Sequence, residues 1–179
     1  MSRIRDELYF SPELRFADLD RTGKHLPSQL QKRIDGFYLN PAISLAKGGH
    51  AFASGVLVVC AMDALVLLMT GTSSSQARIM GFCLKIPELA TADTPNLFCK
   101  HFRNGLVHSA RVKEGSEFSL DIQHVAVSRN DRLIVNPLKL ALSVQAVLSD
   151  YIARLKQDPA AKQALRKKLL RHFAYELNH

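Results

Sequence analysis

Apolar residues recur at intervals of three and four through most of this chain and change to alternation after Lys113-Glu114-Gly115. A first long helix is expected over 28–47, with Leu30, Ile34, Phe37, Tyr38, Leu39, Ile43 and Leu45 forming its apolar faces. Asn40-Pro41 interrupts it. Proline lacks the N–H that the helix ladder needs, so a kink or a break is expected there. Gly48-Gly49 ends the segment, and the apolar run 50–70 reads as a second helix, stopped by Gly71 and the cluster 72–75. A short helix over 76–86 follows. The next helix has a marked start, with Thr94 as its cap and Pro95 in its first turn. Leu97, Phe98, Phe102, Leu106 and Val107 then keep helical spacing.

Phe118, Leu120, Ile122, Val125 and Val127 approach strict alternation and predict a strand. Ser128-Arg129-Asn130-Asp131 reads as a turn and Leu133-Ile134-Val135 as a returning strand. Asn136-Pro137 opens a helix running through Leu155, and Asp158-Pro159 repeats the signal for a final helix reaching about Leu177. Residues 1–25 are polar and mixed in charge. They read as a loosely packed arm with a short helix begun at Ser11-Pro12. The expected fold class is therefore mainly α. An arm at 1–25 precedes one helical domain at 26–179, with a small β-hairpin near 116–135 inserted before the last two helices.

Composition adds little to the fold but narrows the chemistry. With 47% hydrophobic residues in 179, the chain can enclose a core. Twenty-four Lys and Arg against 16 Asp and Glu give a net charge of +8, which favours polyanionic partners. Part of that excess sits in the segment Arg154 to Arg171, at Lys156, Lys162, Arg166, Lys167 and Lys168, where a solvated helix face is the plainer explanation. The three cysteines, Cys60, Cys83 and Cys99, show no CxxC spacing and read as buried, reduced thiols of a cytoplasmic protein. Arg3 and Arg5 are followed by Asp6 and Glu7, so no secretory signal is expected. The run 52–69 approaches spanning length, but Asp63 inside it would be costly in lipid, and a buried bundle helix explains it better than a membrane span.

Most other chemistry is argued against. His50, His124, His172 and His179 form no ligand-spaced cluster, so neither a metal nor another cofactor is expected. No strand and no GKS or GKT accompanies the glycines, which excludes a phosphate-cradling loop. No tryptophan and 7% aromatic residues speak against a base-stacking sheet.

What remains is Phe102-Arg103-Asn104-Gly105-Leu106-Val107-His108. It places an arginine, an amide and a histidine near one helix end. Arginine forks onto phosphate, and histidine moves protons near neutral pH. The plainer alternative is a helix C-terminus whose free carbonyls attract cations. The R-x4-H spacing of Arg103 and His108, with polar Asn104 second, resembles the signature of the HEPN superfamily of helical bundles. The whole phrase, followed by a short hairpin and Asn136-Pro137, looks like the version in bacterial HEPN-like proteins. The resemblance covers roughly 28–155.

It implies an RNA-binding protein or a metal-independent endoribonuclease that cuts through the ribose 2′-hydroxyl. It also implies a homodimer, with the motifs of two protomers meeting in one cleft. Carried over, Arg103 would bind the scissile phosphate, His108 would transfer protons and Asn104 would orient one of these groups. Asp63 could hold the arginine, and Lys100, Arg111 and Lys113 could draw in the RNA backbone. His101 would sit on another side, at a surface or interface. A defence, toxin or stress role, with a protein antitoxin or effector as partner, follows from the same analogy. The rival is a non-catalytic helical module for dimerisation or regulation.

Geometry constrains this picture. Five residues advance a helix by about 500°, leaving Arg103 and His108 roughly 140° apart. Asn104 and His108 would share a face. Either Arg103 reaches around, or the helix unwinds near Gly105, or a second protomer completes the site.

Overall fold

The computed structural model describes residues 3, 4, 7–71 and 75–178. The chain is mainly helical, with two small three-stranded sheets. It opens with strands β1 (Arg3–Ile4), β2 (Glu7–Ser11) and β3 (Leu14–Arg15), joined antiparallel in chain order. The expected loose arm is thus a small sheet, and Ser11-Pro12 lies at a turn between strands rather than at a helix start. The reason lies in its apolar minority: Phe10, Phe16 and Leu19 are all buried. Phe10 and Phe16 pack edge to face, and both reach Phe173 near the other end of the chain. Arg5 and Asp6 fall outside the described residues.

Helix α1 (Leu26–Ile34) runs without a break into α2 (Asn40–Lys47) through a π turn over Asp35–Leu39. This is how the helix accommodates Pro41. The Asn40 N–H donates five residues back, to the Asp35 carbonyl, and Pro41 falls in the first turn of α2, where a missing N–H costs least. The expected kink is therefore a widened turn.

Helix α3 (Ala51–Thr70) ends at Gly71, whose left-handed φ of 79° needs a residue without a side chain. The cluster at 72–74, expected to help stop it, lies outside the described residues. Helix α3 packs between α2 and α7 (Pro137–Gln157), which together form the centre of the bundle. By length and composition it could cross a membrane, yet half of its most apolar stretch is buried within the fold.

Helix α4 (Gln76–Cys83) follows, and then a second composite helix. This one consists of α5 (Thr94–Leu97), a π turn over Phe98–Arg103, and α6 (Asn104–Ser109). Thr94 does not cap it; Asp93 holds that position, and the Thr94 hydroxyl pairs with Thr91 at 3.3 Å.

The second sheet has the order β4-β6-β5. The expected first strand is split: Glu117–Phe118 (β4) runs parallel to β6 (Arg132–Val135), while its far end at Ala126 and Val127 pairs antiparallel with β6. The hairpin proper joins β5 (Ala126–Arg129) to β6. Its turn is Asn130-Asp131, with φ of 47° and 60°, the two-residue geometry that matches strand twist. Leu120 and Ile122 belong to a connecting bend; their alternation marked half-burial, not pairing.

Helices α7 and α8 (Pro159–His172) begin where their caps predict. Asn136 Oδ1 accepts from the N–H groups of Leu138 and Lys139, and Asp158 Oδ1 accepts from those of Ala160 and Ala161. The last helix is shorter than expected: it stops at His172, Phe173 turns inward, and α9 (Ala174–Asn178) finishes the chain. Lys168 and Arg171 of α8 donate to the Met69 and Gly71 carbonyls at the end of α3.

Candidate functional site

Arg103 closes the second π turn, where the Asn104 N–H reaches back five residues to the Cys99 carbonyl. The departure from α geometry thus lies before the motif, not at Gly105 as one of the sequence alternatives required. From this position the Arg103 Nε lies 3.4 Å from Asp63 Oδ2 of α3, and Nη1 donates to Asn104 Oδ1 at 3.1 Å. Asp63 does meet the arginine. The two side chains retain 16% and 25% exposure, so the pair is neither sealed in nor fully solvated.

Asp63 Oδ1 is buried and has no hydrogen-bond partner among the described residues. A carboxylate oxygen in that state is destabilising by about 1–3 kcal/mol until a donor reaches it. Two thiols lie near the pair. Burial pushes the Cys60 thiol up, with Asp63 adding to the rise. Burial also raises Cys99, which Arg103 lowers and Asp63 raises. Cys83 and Cys99 are buried as expected, and burial drives Cys83 up to about 12. Cys60 is exposed, against expectation, because it lies on the side of α3 that no other element covers.

Asn104 and His108 occupy one short regular helix, four residues apart and therefore on one side. Arg103 connects to that side through its bond to Asn104, the long-stem alternative considered above. His108 is exposed and makes no side-chain hydrogen bond among the described residues. The structure brings Asp63, Arg103 and Asn104 together and leaves His108 at the solvent edge.

Gly105 is buried, and the Arg111 carbonyl occupies the space a Cβ would need. That close approach follows from Ala110, whose φ of 51° turns the chain back after α6. The returning loop is fastened by residues whose role sequence reasoning missed. His101, expected at a surface, is 1% exposed. Its Nδ1 lies 2.8 Å from the Ser116 hydroxyl, which also accepts the Leu133 N–H at 2.9 Å. Glu114 Oε2 is 3.1 Å from His101 Nε2, off the ring's N–H line, and accepts from Lys100 Nζ at 3.0 Å. The bond from Lys100 holds the Glu114 carboxyl below its usual range. Lys100 is thus engaged with Glu114, whereas Arg111 is exposed and Lys113 half-buried on the loop that covers Gly105. The left-handed pair Glu114-Gly115 was the available signal for this return.

On chemical grounds, the arrangement offers a forked cation oriented by a carboxylate and an amide, with an imidazole open to solvent nearby. Comparison with known protein families, with curated proteins and with solved structures returns no match for this chain.

Proposed function

We propose that the chain is a HEPN-like, RNA-binding helical protein that cuts RNA without a metal when two copies pair. The observation that carries this reading is the orientation of Arg103. It is held by Asp63 and Asn104 at the solvent edge of α3, on the helix that presents His108. Cleavage through the 2′-hydroxyl needs a base, a proton donor for the leaving oxygen, and charge neutralisation at phosphorus. Two His108 and two Arg103 side chains, related by symmetry, meet those needs.

Exposed apolar side chains on α3 and α6 support pairing. Phe52 is 51% exposed and Val107, one turn beyond Arg103, is 55% exposed. Helices apolar all round are ordinarily buried all round. In the dimer, His108 takes and returns the protons, and Arg103 shifts from Asp63 toward the phosphate. Arg111 and Lys113 hold the flanking backbone. A toxin, defence or stress setting, with a protein antitoxin or effector, and a cytoplasmic location fit this activity.

One observation favours the rival, a non-catalytic dimerisation or regulatory module: Arg103 is already engaged by Asp63. Purified protein incubated with RNA in EDTA separates the two. The nuclease reading expects cleavage that His108→Ala abolishes and Arg103→Lys reduces at least tenfold. Strict dependence on added metal, or identical cleavage by His108→Ala, overturns it.

A further inference from the structure

Far along the chain from that motif, both ends of the fold converge on Arg33. Its guanidinium carbon lies 5.1 Å from the ring centre of Phe10, 5.5 Å from Phe37 and 4.8 Å from Phe173. Nη1 donates to the Phe10 carbonyl. No carboxylate of the described residues forms an ion pair with it. Burial pulls this guanidinium below its usual range, and the charges of Tyr38 and Glu176 oppose the shift without reversing it. A half-buried guanidinium without a direct ion pair gives up part of its hydration, and ring faces offset only part of that cost.

The same guanidinium borders a cavity of about 460 Å³, lined also by Tyr9, Phe37, Tyr38, His172 and Glu176. That volume suits a small organic molecule. The walls are flat and aromatic, and the cation carries five N–H donors, of which the Phe10 carbonyl takes one. We infer that this cavity binds a small aromatic carboxylate, with its carboxylate on Arg33 and its ring against Phe37 and Tyr38. A neutral ligand would leave the Arg33 fork without a direct ion pair. A phosphate would bring a second negative charge toward Glu176, which lines the same cavity. A single carboxylate matches the guanidinium fork. An aromatic amino acid offers the same carboxylate plus an ammonium for Glu176, so the two forms are tested side by side. The site shares no residue with the Arg103 motif and does not depend on its activity.

The chain has four tyrosines and no tryptophan, and Tyr9 and Tyr38 line the cavity, so tyrosine emission reports on it directly. The full chain is titrated with phenylacetate, with phenylalanine and with phenylacetamide as the uncharged control. A saturable change with either acid, at a Kd of about 1 mM or tighter, is expected, with the amide at least tenfold weaker. Phenylalanine binding more tightly than phenylacetate, an advantage lost in Glu176→Gln, assigns the amino-acid form. Arg33→Gln should weaken acid binding at least tenfold. Because Arg33 also clasps Phe10 and Phe173, Tyr38→Ala serves as the second variant and should weaken binding while far-UV circular dichroism stays unchanged. The inference is overturned by no saturable change with either acid up to about 10 mM. It is equally overturned by amide binding as tight as acid binding, or by wild-type affinity in both variants.

Discussion

Asp20 shows how one side chain can set the course of a backbone. Its carboxylate accepts the N–H groups of Thr22, Gly23 and His25 and the Thr22 hydroxyl, just ahead of α1. These bonds, led by that from His25, lower its pKa to about 2. The folded value lies below the unfolded one, so the stabilisation is full above pH about 4 and fades as pH falls toward 2. Asp20→Asn should therefore lower Tm at pH 7, with the difference from wild type shrinking in melts taken between pH 4 and pH 2. Gly105 makes a second residue-scale case. Gly105→Ala drives a methyl into the Arg111 carbonyl and should cost about 1–3 kcal/mol in urea unfolding, as overpacking does. Side chains that act on their own neighbourhood were the legible ones: Asn136 and Asp158 cap where their spacing says. His101 was not, because its partner Ser116 is fifteen residues away and arrives only when a loop folds back.

Among the elements, the two composite helices carry the lesson. Both were read as helices, and both are continuous, but each holds a π turn. Pro41 signals the first, since a missing donor must be absorbed somewhere. Nothing comparable marks the second, which contains no proline. The alternating stretch after Glu114 predicted one strand where the two ends pair and Leu120 and Ile122 between them do not, since a period of two describes burial and not hydrogen bonding. Asn136 links this sheet to the bundle. Its amide donates to the Leu120 and Ile122 carbonyls while its oxygen caps α7. Asn136→Ala should thus loosen the segment before β5 and the start of α7 together. The expected loss is about 2–3 kcal/mol, measured by denaturation and by faster amide exchange in both places.

For the whole molecule, the mainly helical class and the central place of α3 were legible, because a twenty-residue helix so largely apolar must find cover. The N-terminal sheet was not, because Phe10 is the one buried apolar residue of its described strands, and Phe16 and Leu19, which complete that cluster, follow among charges. The exposed Val107 on α6 makes the assembly testable. Val107→Glu should shift any self-association toward monomer in sedimentation velocity while leaving Tm within about 2 °C, since an exposed position tolerates charge. The contact of Phe10 and Phe16 with Phe173 has a consequence for biosynthesis. More than 150 residues separate these rings in order of synthesis, so the cluster of Phe10 and Phe16 closes only after Phe173 has been made. Until then Phe10 leans on Phe16 and on Arg33 of α1, and a stalled ribosome would hold a chain whose aromatic cluster stands open on one side.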